Sequence, residues 1–276
     1  MTWIQQMFGT SKPIIAMLHL DPLPGDPLFR RDTDMKQVAA VARQDLAALQ
    51  DGGVDGILFS NEFSLPYQHH MNFVTPSAMA FVIGQLLPQI RVPFGVDCLS
   101  DPMATLELAA AIQADFVRGM FSGAYVGDEG LYDNDLSALL RRKAALPLDD
   151  LKMLYFVNPE SDVNLDTRPL PEIAKSVIFK AHPDALCVSG PGAGQAVDES
   201  LMIGVKEQSG DVPVFVNTGC RQENIEAKLR IADGAVVGTT FKVAGEFNNH
   251  IDDARVRSFM AAAKAARTSA PGVAFS

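Results

Sequence analysis

The sequence predicts an α/β protein of the (β/α)8 TIM-barrel class with a short N-terminal helix, one domain over residues 1–276. Three observations carry this. Eight short apolar runs alternate with helical patterns from end to end. The runs lack strict polar alternation, as strands covered on both faces do. The last two stop at Asn217-Thr218-Gly219 and at Gly238-Thr239, leaving bare backbone N–H groups beside helix starts. Barrels of this class hold phosphate there, after their seventh and eighth strands. The length of 276 residues suits one such barrel, typically ~250 residues. An open doubly wound sheet would usually show a GxGxxG turn after its first strand, and here that loop is Asp21-Pro22-Leu23-Pro24-Gly25.

Taken in order, Trp3, Ile4, Met7 and Phe8 share one helical face, which suits a short helix plugging the barrel bottom or meeting another subunit. The strands are expected at 14–20, 56–60, 94–98, 116–120, 153–157, 185–189, 214–217 and 235–238. Helices fill the gaps. Gly52 suits a left-handed cap after the first long helix. Thr75-Pro76 and Asp101-Pro102 place a capping oxygen before a proline. Asp32-Thr33, Asn134-Asp135 and Asp252-Asp253 are weaker starts. Leu46 and Leu49, then Leu106, Leu108 and Ile112, then Ile225 and Leu229, recur at helical spacing and should face inward. Residues 121–131, with three glycines and two acids, suit a mobile loop over the mouth that could carry Tyr125 or Asp128 into the site; a plain surface loop fits equally.

Composition narrows the partners. A formal charge of −10 argues against nucleic acid and anionic lipid, so an anionic ligand must be held by local donors. Cys98, Cys187 and Cys220 are odd in number and lack CxxC spacing, which fits a reducing cytoplasm. The opening residues carry neither a basic group nor a long apolar stretch, unlike a secretory signal. No window approaches the ~20 apolar residues of a membrane helix. The expectation is a cytoplasmic homo-oligomer that binds a small phosphorylated metabolite.

In such a barrel the active site lies at the carboxyl ends of the strands. Those ends offer His19 and Asp21, Asn61 and Glu62, Asp97 and Cys98, Arg118, Asn158 with Glu160 and Asp162 beyond, Ser189, Asn217 and Thr218, and Thr239. Gly190, Gly192, Gly219, Gly238 and Thr239 form the candidate phosphate cradle, although the glycines equally suit tight strand-to-helix turns. Arg118 interrupts an apolar run. It can clamp a carboxylate or second phosphate, or sit in a buried pair with Asp97 or Glu62. Asp97, Glu62 and His19 are candidate acid–base groups. Asp97 and Glu62, with Asp162, are also candidate ligands for a divalent cation such as magnesium or manganese, the basis of a hydrolase alternative. No HxH or HExxH pattern supports a zinc site. His69 and His70 read as surface or lid residues. The sixth run carries no lysine, Lys152 lies at the wrong end of the fifth, and Lys242 lies in a loop, which disfavours an imine mechanism. Cys98 and Cys220 read as packing residues.

Five stretches resemble the BtpA family: KPIIAMLHLDPLPGDP (12–27), ADFVRGMFSGAYVGDEGL (114–131), DALCVSGPGAG (184–194), ADGAVVGTTFK (232–242) and IDDARVRSFM (251–260). The resemblance implies a phosphate-binding TIM barrel. The family takes its name from a cyanobacterial protein needed for photosystem I accumulation, while other members lie among bacterial sugar-transport and sugar-kinase genes. It therefore implies either carbohydrate metabolism or a non-enzymatic assembly role. The mouth departs from the family pattern at Asn61-Glu62-Phe63, Asp97, Arg118-Gly119-Met120, Phe156-Val157-Asn158-Pro159 and Asn217-Thr218-Gly219. The reading is an isomerase, epimerase or non-imine aldolase that abstracts a proton beside the carbonyl of a phosphorylated sugar or sugar acid.

Overall fold

A computed structural model describes residues 1–269. Eight parallel strands close into a barrel in the order β1 (Ile14–His19), β2 (Gly56–Ser60), β3 (Phe94–Asp97), β4 (Phe116–Gly119), β7 (Lys152–Asn158), β9 (Ala185–Val188), β10 (Val214–Val216) and β11 (Gly234–Val237), which pairs back with β1. Each expected strand is present, within a residue or two at its ends.

Side chains alternate across each strand, so every second residue points into the barrel. Ile15, Met17, Leu58, Phe116, Leu154 and Phe215 fill the interior in one cluster. Their neighbours Ile14, Ala16, Leu18, Ile57 and Val117 belong to a second cluster, shared with the helices. Gly95 and Gly234 stay bare because a Cβ there would run into the rings of Phe116 and Phe215. Carrying the inward parity one step further reaches His19, Ser60, Asp97, Arg118, Ser189 and Asn217, all buried. The interior thus changes from apolar to polar within one layer.

The bottom is closed by α1 (Trp3–Phe8), whose capping box is made by Thr2 and Gln5. Ile4 and Phe8 are buried, and Phe8 meets Phe116 edge-on at 5.8 Å between centroids. This bears out the plug.

Outer helices follow each strand, with some starts shifted from expectation. α2 (Met35–Gly52) begins at Asp34, whose carboxylate accepts from Gln37 N, rather than at Asp32-Thr33. It ends at Gly53, φ 84°, rather than Gly52, which sits against Val256. α3 (Val74–Leu86) starts ahead of Thr75, placing Pro76 in its first turn, where a missing N–H costs nothing. The Thr75 hydroxyl caps nothing. Asp101 caps α4 (Pro102–Ile112) by accepting from Met103 N and Ala104 N at 3.0 Å, and Asp135 caps α5 (Leu136–Ala145), both as expected. α6 (Leu170–Ala181), α7 (Glu199–Gln208), α8 (Ile225–Ile231) and α9 (Asp253–Ser269) complete the ring, with Asp252 accepting from Ala254 N at the start of α9.

The glycine-rich segment after β4 is neither an irregular nor a plain surface loop. It pairs as a hairpin, β5 (Ala124–Gly127) with β6 (Gly130–Asp133), and β8 (Val163–Asn164) adds a third strand. No helix among the described residues is long and apolar enough to cross a membrane.

Candidate active site

Two adjoining cavities occupy the mouth. The larger holds about 320 Å³ and the smaller about 40 Å³, and Glu62, Glu160, Ala193 and Phe247 wall both.

The small cavity lies where β10 and β11 end. Gly219, Cys220, Gly238, Thr239 and Thr240 line it, with His19 and Asn217. The N–H groups of Gly219, Cys220, Thr239 and Thr240 donate to no protein acceptor among the described residues. Gly219 has φ 67°, and a Cβ on it would strike the backbone of Gln195 and Ala196. Two contacts hold the loops together: Thr218 Oγ1 donates to Gln195 O at 2.8 Å and Thr240 Oγ1 to Cys220 O at 2.5 Å. At Gly238 the missing side chain makes room for His19, whose Nε2 would lie 3.2 Å from a Cβ.

Two of the expected cradle glycines fall outside. Gly190 N donates to Thr218 Oγ1 at 2.7 Å, so its amide is already committed, and Gly192 packs beside the Gln195 side chain. Neither lines the small cavity. Both serve the tight turn after β9, which nothing in their sequence spacing separates from ligand contact.

His19 is 6% exposed, and both its ring nitrogens lack a hydrogen-bond partner. Phe63 and Phe247 flank the ring at 5.6 Å. Burial first, then the charges of Lys242 and Arg118, hold its pKa well below the usual histidine value, so the imidazole is neutral at pH 7.

The large cavity is acidic. Seven of its lining residues are Asp or Glu and one, Arg118, is basic. Arg118 Nε donates to Asp97 Oδ2 at 3.0 Å, and Nη2 lies 3.0 Å from the same oxygen. Nη1 reaches Asn217 Oδ1 at 3.0 Å and Met17 Sδ at 3.3 Å, while Nη2 lies 3.8 Å from Glu62 Oε1. The guanidinium also lies over the Phe156 ring, 4.9 Å from its centroid. Nε and Nη1 are committed to protein acceptors, so the guanidinium is held in a buried network. Of the two roles open to Arg118 in the sequence, the structure forms the buried pair.

The carboxyls around it are hard to ionise. Burial pushes Asp97 up to about 6, against the opposing pull of Arg118. Burial raises Glu62 as well, although Arg118 and the Tyr67 hydroxyl, which donates to its Oε2 at 3.0 Å, pull the other way. Glu160 rises to about 7 through burial and then the nearby Glu62. Its Oε2 is buried and has no partner. In the sequence Glu160 stands just beyond the end of the fifth strand, with no motif around it that marks a role. The available signal was Asn158-Pro159, a strand end followed by a proline that turns the next residue over the mouth.

The hairpin supplies Asp128, Glu129 and Tyr132 to the cavity wall. Tyr125 is 2% exposed and packs with the interior cluster instead. Glu129 accepts from Tyr67 N at 2.8 Å and from the Tyr132 hydroxyl at 2.5 Å, tying the hairpin to the loop after β2. His69 stacks on Tyr132 at 3.9 Å.

As cation ligands, Asp97 and Glu62 are arranged around Arg118, which already supplies their positive neighbour. No group of three His, Cys, Asp or Glu side chains among the described residues converges on a metal-sized point. Lys242 is buried, with Nζ donating to Phe247 O at 2.5 Å and lying over the Phe63 and Phe247 rings. Burial lowers it to about 8, but it lines neither cavity. The three cysteines are buried, and burial pushes Cys187 and Cys220 up to about 12. They behave as apolar filler.

The chain matches the BtpA family over residues 10–265 and belongs to it. It is 48% identical over 260 residues to the sgc region protein SgcQ of Escherichia coli, covering 94% of this chain and 97% of that one. It is 30% identical over 261 residues to the photosystem I biogenesis protein BtpA of Synechocystis, covering 93% and 90%. Among solved structures, (S)-3-O-geranylgeranylglyceryl phosphate synthase from Thermoplasma acidophilum, in complex with sn-glycerol-1-phosphate, superposes with a TM-score of 0.59 at 17% identity, covering 96% of this chain and 99% of that one. Phosphoribosyl anthranilate isomerase from Thermus thermophilus gives 0.52 at 13% identity, covering 92% and 98%. At these identities the two structures establish the shared barrel alone.

Proposed function

We propose that the protein is an enzyme acting on a phosphorylated sugar or sugar acid, moving a proton beside its carbonyl and so isomerising, epimerising or cleaving it. One observation carries this reading. Backbone amides without protein partners line a small cavity that shares Glu62 and Glu160 with a larger one, where burial raises Asp97 to about 6 and Glu160 to about 7. The phosphate would dock on the amides of Gly219, Thr239 and their neighbours, with Gly238 leaving room for the His19 ring beside it. The reacting carbons would then lie in the large cavity. A carboxyl near pH 7 can both take and return a proton, and Glu160 has an oxygen free to do so. Glu62 is the second candidate. Asp97 is engaged by Arg118 and acts by holding that network in place. Neutral His19 can donate a hydrogen bond to the developing enolate oxygen without giving up a full proton. The barrel that holds sn-glycerol-1-phosphate supports a phosphomonoester as the ligand class.

Incubation with aldose and ketose phosphates in deuterated buffer tests this. Exchange of the carbon-bound hydrogen beside the carbonyl, lost in Glu160→Gln, is the expected result. If no sugar phosphate exchanges, and neither millimolar sugar phosphate nor inorganic phosphate raises the melting temperature, the reading is wrong. A second reading, an assembly factor without a reaction, is favoured by the 30% identity to the photosystem I biogenesis protein. It predicts a stoichiometric protein partner whose capture survives Glu160→Gln and Gly238→Ala.

A further inference from the structure

The distribution of charge beyond the cradle bears on what the rest of the ligand can be. In the large cavity the one basic lining group is Arg118, whose Nε donates to Asp97 and Nη1 to Asn217, with Nη2 3.0 Å from Asp97 and 3.8 Å from Glu62. Arg221 and Arg255 line a separate cavity of about 600 Å³ that meets the cradle at Gly194, Thr239 and Thr240 and shares no wall with the large one. No other basic group among the described residues lines the large cavity. Glu62, Asp97 and Glu160 stand at the strand ends, and Asp128, Glu129 and Asp162 come from the hairpin and the loop after β7.

An acidic wall is not by itself a site. Here it surrounds a cavity of about 320 Å³ that shares walls with the amide cradle. Two unsatisfied groups also border these cavities: the nine-tenths-buried His19 ring lines the small one, and Glu160, whose Oε2 has no partner, walls both. Unpartnered polar atoms in such a position are costly unless a ligand completes them. Carboxylates accept from hydroxyls and from ammonium groups, and Tyr67, Tyr132 and Phe247 add aromatic surface to the same wall. A carboxylate or second phosphate placed there would meet like charge in a poorly solvated space, a penalty of the kind that enforces specificity.

We propose that the ligand is the phosphomonoester of a neutral or amine-bearing polyhydroxy compound, and that sugar-acid phosphates and bisphosphates are rejected by the acidic wall. This rests on the phosphate-cradle reading and narrows it, removing the sugar acids.

Titration calorimetry at pH 8, above the values of about 6 and about 7 to which burial raises Asp97 and Glu160, tests it with five probes: inorganic phosphate, glucose 6-phosphate, glucosamine 6-phosphate, 6-phosphogluconate and fructose 1,6-bisphosphate. The two neutral- or amine-ended monophosphates should bind at least about tenfold more tightly than the two with a second anion, a difference of about 1.4 kcal/mol. The gap should narrow at pH 6.5, as Glu160 takes up its proton, and in Glu160→Gln and Asp162→Asn. If 6-phosphogluconate or the bisphosphate binds as tightly as glucose 6-phosphate, this inference is overturned while the cradle stands. If inorganic phosphate and all four sugar phosphates fail to bind, the cradle reading fails and takes the inference with it.

Discussion

On the β10–β11 side of the mouth, the groups facing a ligand are backbone amides and a neutral imidazole; on the β2–β7 side, they are carboxyls clustered around a bound guanidinium. The first region is built from the absence of side chains, the second from an excess of charged ones. Under the proposed function, the contrast lets a chain with a formal charge of −10 hold an anion: recognition by amides needs no basic surface, and the acidic groups would remain free for proton transfer in the adjoining cavity. The two regions also differ in what holds them in place. Loop-to-loop hydrogen bonds through Thr218 and Thr240 fix the cradle, whereas the carboxyl side combines the hydrogen bonds of Glu129 and Tyr67 with a buried ion pair, Arg118 with Asp97.

That ion pair gives the largest expected effect. Arg118→Ala leaves Asp97 buried without its partner and should cost about 3–5 kcal/mol in denaturant unfolding. The double variant Asp97→Asn with Arg118→Met should recover much of this. A single-variant loss below about 1 kcal/mol would mean that the pair does not hold this side together.

The cradle glycines should separate packing from ligand contact. Gly219→Ala puts a side chain into left-handed backbone and against the neighbouring loop, and should cost about 1–3 kcal/mol of stability. Gly238→Ala has an ordinary φ of −116° and crowds mainly His19, so stability should change less. Its phosphate affinity should nevertheless fall about tenfold, about 1.4 kcal/mol. Equal stability losses in the two variants would erase the distinction.

A smaller effect concerns pH. Asp97 and Glu160 bind their protons more tightly in the folded state than in the unfolded one, so stability falls as pH rises through about 6 and about 7. His19 has the opposite sign. Its folded-state pKa is depressed, so below the usual value near 6.5 only the unfolded chain takes up that proton, and stability is lost as pH falls. Between pH 8 and pH 6.5 proton uptake by Glu160 and Asp97 stabilises the folded state, while Lys242, lowered to about 8, and His19 oppose it. The carboxyl contribution is therefore read as a difference: acidification over this range should raise the melting temperature of the ligand-free protein relative to that of Glu160→Gln. An unchanged difference between the two from pH 8 to 6.5 would contradict the raised Glu160.

The barrel was legible because fully buried parallel strands and their helices leave long apolar signatures, and each of the eight runs is a strand. The polar layer could be read in outline, since His19, Asp97, Arg118 and Asn217 occur at or just past the ends of apolar runs with inward parity. What the sequence could not show was partnership. Whether Arg118 clamps a ligand or Asp97 depends on contacts among residues 21 and 99 positions apart. Gly190 and Gly219 look alike in sequence, yet one amide is spent on Thr218 and the other is not. The segment at 121–131 reads as a loop because its glycines hide a hairpin whose third strand comes from beyond β7. Glu160 owes its raised pKa to burial beside Glu62, almost a hundred residues away.

Phosphate titration followed through backbone amide chemical shifts tests the central claim most directly. The account predicts saturable shifts at Gly219, Cys220, Thr239 and Thr240, with Gly190 unmoved. Shifts confined to other loops, or none at millimolar phosphate, would contradict it.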